Sequence, residues 1–115
     1  MAIIETKENE QEGLLQTHYY KCSYEQLKKK YLDILPKLHF NIVSIDDSYH
    51  EVFCEKGNMT VTAKIIEQTP KETSIDFYIS NEGFFRPTKK SLEFIATIYK
   101  EISSVYELKG LGLHK

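Results

Sequence analysis

The chain has 115 residues, a formal net charge of -2 and 28% charged residues, the size and balance of one ordinary globular domain. Its 15 basic residues do not outnumber its 17 acids, so the basic face of a nucleic-acid binder is missing and nucleic acid is not an expected partner. Two cysteines are too few for a disulfide framework, and no apolar run approaches the length of a membrane span.

Residues 1–13 open without the basic cluster and long apolar core of a secretory signal. Glu5 to Gly13 is polar and mostly charged, too poor in apolar surface to offset its ordering entropy. We expect a mobile lead-in over 1–13, with Ala2-Ile3-Ile4 free to dock. With two free thiols, the chain reads as a soluble protein of a reducing compartment, the cytoplasm, with no membrane contact.

A single domain is expected over 14–110. Leu14 to Cys22 alternates and is rich in β-branched and aromatic residues, which predicts a strand, although Leu14-Leu15 could also begin a helix. Ser23 with Gln26 three residues later is a capping box. Tyr24, Leu27, Tyr31, Ile34, Leu35 and Leu38 then fall on one helical stripe. Pro36 disfavours a helical Leu35, so the helix should end or kink there.

A strand follows from Phe40. Its buried set is either Phe40 and Ile42 or Asn41, Val43 and Ile45, depending on the turn at Asp46 to Ser48, because a one-residue slip reverses every side chain. Gly57-Asn58 is a good two-residue hairpin loop. That loop sets Glu51 opposite Lys64, Phe53 opposite Thr62 and Cys54 opposite Val61, and it puts His50 opposite Ile65. Met59, Val61, Ala63 and Ile65 then form the core face. Ile75, Phe77 and Ile79 mark the last strand. Thr88 is a candidate N-cap for a second helix with Leu92, Ile95, Ile98, Ile102 and Val105 on its apolar stripe. Gly110 should stop that helix, leaving 111–115 as a short tail.

The predicted fold is α+β: a mainly antiparallel sheet of about five strands, with two helices on one face. The order strand, helix, four strands, helix over 14–109 resembles that of the TATA-binding-protein-like and START-type helix-grip folds. The resemblance lies in element order, and no sequence motif carries it. It implies a binding scaffold, of the kind that hosts ligand carriers and nucleic-acid binders.

Chemistry-bearing patterns are sparse. His50 and Cys54 are expected on one face of a strand, but zinc needs three or four such ligands, so no metal or other cofactor is expected. No Gly-x-Ser-x-Gly elbow surrounds a serine, and no Gly-rich loop opens a helix. The acids Glu51, Glu55 and Asp76 read as solvated, and Lys28-Lys29-Lys30 as a solvated helix face. No catalytic residue is assigned and no enzyme is expected; His50 is the one candidate an enzyme reading could name.

Two features stand apart. The face away from the helices carries Tyr49, Phe53, Ile66 and Tyr78, and exposed aromatics of that kind can mark contacts. The loop Gly83 to Pro87 sets Phe84 and Phe85 side by side, followed by Arg86. These seven residues are the candidate binding set. They motivate a small binding module acting through a protein partner or as a homodimer. The alternatives are a carrier of a small apolar ligand, using a groove between the sheet and the C-terminal helix, and an enzyme of unknown class.

Overall fold

A computed structural model describes residues 2–7, 13–81 and 87–111. In chain order the elements are β1 (Ala2–Glu5), a 3-10 turn (Gly13–Leu15), β2 (His18–Tyr20), α1 (Tyr24–Lys37), β3 (Asn41–Asp46), β4 (Glu51–Lys56), β5 (Met59–Thr69), β6 (Glu72–Asn81), α2 (Pro87–Ser103) and β7 (Leu108–Leu111). The strands form one seven-stranded antiparallel sheet in the order β3-β4-β5-β6-β2-β7, with β1 also paired to β6. The fold is α+β with two helices.

The central hairpin follows the sequence pattern. Glu51 pairs with Lys64, Phe53 with Thr62 and Cys54 with Val61. Gly57 has φ 58 while Asn58 keeps a negative φ, as a type II′ turn requires. Val52, Cys54, Met59, Val61, Ala63 and Ile65 are buried, and Ile75, Phe77 and Ile79 join them from β6. Both helices pack on this face: Leu27, Tyr31, Ile34 and Leu35 of α1 share one core with Phe94, Ile95, Ile98, Tyr99 and Ile102 of α2. Each such aliphatic side chain contributes roughly 1.5–3 kcal/mol by leaving water.

The α1 capping box is present. Ser23 Oγ accepts from the Gln26 amide at 3.1 Å, and the Gln26 side chain accepts from the Ser23 amide at 2.9 Å. The helix runs through Pro36 to Lys37 rather than stopping at Leu35. It ends in a Schellman motif, with His39 N–H donating to the Pro36 carbonyl and Phe40 N–H to that of Leu35. His39 takes the left-handed position with φ 65. Pro36 thus stands in the last turn, where little helix remains for it to break.

Several expectations need correction. The β3–β4 connection is a four-residue turn over 47–50, so His50 lies in the turn at φ 58 rather than on β4. Of the two sets left open by the sequence, Phe40, just before β3, and Ile42 within it face inward, while Asn41, Val43 and Ile45 are exposed. A bulge between Ile42 and Ser44 shifts the register there.

The sheet has seven strands rather than about five because β1 and β7 add to it. Ala2–Glu5, expected within a lead-in, is β1, and residues 8–12 lie outside the described residues. Leu14-Leu15 is a 3-10 turn, so β2 is short. α2 begins at Pro87, one residue before the expected cap, where proline suits the first helical position. It stops at Ser103, well short of Gly110. Ser104 Oγ turns back to the Glu101 carbonyl at 2.7 Å, a local bond that competes with helix propagation. The Lys21 amide donates to the Glu107 carbonyl and starts the β2–β7 pairing. Val105 is therefore exposed, and Gly110 faces Tyr19 inside the sheet.

Candidate functional site

Three places on the molecule concentrate unusual chemistry. The first is the sheet face away from the helices. Cross-strand pairing sets Ser44, Phe53, Thr62, Tyr78 and Glu5 in one row across five strands. Tyr78 is 44% exposed, and Phe53 and Thr62 are half-buried. Ile66 lies further along β5, paired to Ser74 and half-buried. Tyr49 is 69% exposed, but it sits in the β3–β4 turn at the end of the sheet. Among the described residues no helix covers this face.

Phe53, Ile66 and Tyr78 are thus brought onto one surface, with Tyr49 at its margin. Phe84, Phe85 and Arg86 lie outside the described residues. Ile3, half exposed beside Ser80, and Glu5 join the face through β1, which the sequence reading did not foresee. Among the paired strand positions of the described residues, Glu5, Asp46, Glu51, Glu55 and Asp76 lie on the same side as one lysine, Lys64, which makes the face acidic.

The second place is a cleft of about 590 Å³ between the β4–β5 hairpin tip and the start of α2. Phe40, Met59 and Phe94 supply buried apolar walls, and the rings of Phe40 and Phe94 stand 4.8 Å apart. Lys56, Asn58, Lys90 and Glu93 line its polar side. Lys56 donates to the Leu38 carbonyl at 3.0 Å, and its ammonium lies 5.6 Å from the centre of the Phe40 ring. The cleft lies between the sheet and α2. A second cleft, of about 450 Å³, adjoins the start of α1. Of its three lysines, Lys21 is paired with Glu107 and Lys109 with Glu72, and Lys71 is exposed.

The third place is a polar neck at β6. The chain leaves the sheet after Thr6 and returns at Thr17. Both hydroxyls donate to the Asp76 carboxylate, Thr6 at 2.7 Å and Thr17 at 2.8 Å. Thr6 Oγ1 also accepts from the Phe77 amide at 2.8 Å. Asp76 is therefore a partly buried anchor and not the solvated acid that alternation suggested.

Beside the neck, His18 is buried and stacked on Tyr99 with centroids 3.3 Å apart. Its Nδ1 lies 3.0 Å from the Gln16 carbonyl. A carbonyl only accepts, so Nδ1 carries the proton. Burial lowers the His18 pKa to about 4, against a smaller upward push from that hydrogen bond. Burial also raises the Tyr99 phenol well above its ordinary value, with the Asp76 charge adding to the shift. Thr6 is near enough to oppose that shift, yet Tyr99 Oη makes no hydrogen bond among the described residues. These residues line neither cleft, and the neck reads as an internal fastening.

The remaining candidates disperse. Burial raises the Cys22 and Cys54 thiols to about 11 each, which makes both poor nucleophiles at neutral pH. Cys54 Sγ lies 4.0 Å from Tyr31 Oη, and His50 meets Tyr24 edge-on at 5.4 Å. Among the described residues no group of three metal-ligating side chains assembles. Lys28 pairs with Asp47 at 2.6 Å and Lys29 with Asp33 at 3.1 Å, so part of the basic run is neutralised. Among the described residues no helix is long and apolar enough to cross a membrane. No protein family, curated protein or solved structure matches the chain.

Proposed function

We propose that the protein is a non-catalytic binding module whose uncovered sheet face contacts a protein partner. The observation that carries this reading is the row of Phe53, Thr62 and Tyr78 on the side of the sheet opposite the core. Exposed apolar area bounded by polar groups is a common mark of contact surfaces. The proposed resemblance of the order β2 to α2 to helix-grip scaffolds implies a binding scaffold, which is compatible with this reading.

The charge of the face selects among partners. The exposed acids Glu5, Asp46 and Glu55, with Glu51 beside Lys64, would repel a second copy laid face to face. We therefore favour a different protein, with basic side chains around an apolar centre, over a homodimer. Two edges of the sheet also resist self-pairing: β3 carries a bulge and β7 is short and bears Lys109.

Photo-crosslinking in cells from position 78, with position 29 on α1 as control, tests the reading. A discrete product is expected from 78 alone, and it should disappear with Phe53→Lys while the fold persists. The same products from both positions would remove the contact reading. A stability loss of several kcal/mol in Phe53→Lys would show instead that Phe53 is core.

A further inference from the structure

We propose that the cleft between the β4–β5 hairpin tip and α2 binds a free aliphatic carboxylate, with the chain on the aromatic wall and the carboxylate between Lys56 and Lys90. This site is separate from the sheet face, and the proposal does not depend on the contact reading.

The volume comes first. A cleft of about 590 Å³ falls within the range of roughly 300–1,000 Å³ that small-molecule sites occupy. Its walls are already in place. Phe40 and Phe94 are buried and held against each other and the core, and Met59 extends the apolar surface at the hairpin tip.

The charge of the lining selects the head group. Among the described residues neither Lys56 nor Lys90 has an acidic partner, whereas Glu93 stands 4.0 Å from Lys89. Among the described residues, two lysines and one glutamate leave the lining with one net positive charge, which matches a monoanion better than a phosphate dianion. Lys56 is partly pre-positioned, since one of its donors is fixed on the Leu38 carbonyl and two remain.

The start of α2 points the same way. A helix N-terminus carries partial positive charge and usually attracts Asp or Glu. The first turn of α2 holds no acid, and Lys89 and Lys90 follow its first residues instead. That arrangement opposes helix stability and adds positive potential at the mouth of the cleft. An anion seated there would relieve the repulsion.

The test uses the full chain labelled with 15N and two probes, sodium decanoate and 1-decanol, both below their solubility and aggregation limits. Decanoate is expected to shift the amides of Gly57, Asn58 and Phe94 saturably and to bind at least tenfold more tightly than decanol. Lys56→Gln combined with Lys90→Gln should reduce decanoate affinity by roughly tenfold, the scale of one lost charge-assisted hydrogen bond, and leave decanol unchanged. Thr97→Trp, made at a half-buried position of the cleft wall, should abolish both titrations while the spectrum stays dispersed. Equal affinity for the two probes would overturn the anionic head. Saturable shifts confined to other amides, or none, would overturn the site. If the tryptophan variant unfolds, the lysine pair and the two wild-type titrations still decide the outcome.

Discussion

The two sides of β6 are held in different ways. On one side β5 runs beside it from Met59 opposite Asn81 to Thr69 opposite Glu72, a long ladder interrupted by one bulge near Gln68. On the other side two separate pieces share the edge: β1 covers 78–81 and β2 covers 73–75. Between them the chain departs and comes back, and Asp76 fastens both ends of the excursion. The long ladder is specified many times over, since each inward Val, Ala or Ile repeats the same register. The split edge depends on a few polar side chains, so single substitutions should hurt it more.

Asp76→Ala is the sharpest way to break that contrast. The substitution removes hydrogen bonds from two hydroxyls to one carboxylate, each worth roughly 1.5–3 kcal/mol. Partial exposure of Asp76 reduces the sum, and we expect a loss of about 4 kcal/mol in urea unfolding. Native-state hydrogen exchange should quicken first at the Thr6 and Thr17 amides, with Val61 and Ile79 protected until global opening. Uniform acceleration across the sheet would show that the split edge is no weaker than the ladder.

His18 tests the same edge through pH. Its folded pKa of about 4 lies below its ordinary value of 6.5, so between these values the unfolded chain binds the extra proton. The stability from neutral His18 is complete above pH 6.5 and is lost as pH falls toward 4. A shift of that size corresponds to about 3 kcal/mol at most. Tyr20 and Tyr99, the rings nearest His18, stay protonated throughout this window. His18→Phe keeps a ring against Tyr99 and cannot take the proton. Wild type should therefore lose stability relative to the variant as pH drops from 7 to 4, read from urea midpoints. Parallel curves would place His18 in water.

What was legible in the sequence follows this division. Strict alternation in Met59 to Ile65 and the Gly57-Asn58 loop fixed the central hairpin, its register and its covered side. Ser23 and Gln26 announced α1. The face carrying Phe53, Ile66 and Tyr78 was legible for the same reason. β1 and β7 were not, because four residues each are too short for periodicity to mark them, and their places depend on contacts distant in sequence. The roles of Thr6, Thr17 and Asp76 depend on residues 59 to 70 positions apart meeting at one point. The lysines of the cleft were hidden too: Lys56 and Lys90 are 34 positions apart, and only the fold sets them on one opening.

Gly57→Ala probes the well-specified central hairpin, on the ladder side of the molecule, and should have the smallest effect of the three. A Cβ at Gly57 meets nothing within 4 Å, so no clash is added. The cost is confined to the backbone, because φ 58 is the left-handed region, which disfavours an L-residue by roughly 1–2 kcal/mol. Alanine also stiffens the unfolded chain, which offsets part of that strain. We expect a net loss of about 1 kcal/mol. Glu51 should remain opposite Lys64 and Cys54 opposite Val61, because the inward residues Val52 and Cys54 of β4, set against Ala63 and Val61 of β5, hold that register without the turn. Cross-strand nuclear Overhauser contacts would read it directly. If they moved by a residue, the turn rather than the apolar pattern would be setting the β4–β5 register, and the central hairpin would then depend, like the split edge of β6, on a single local feature.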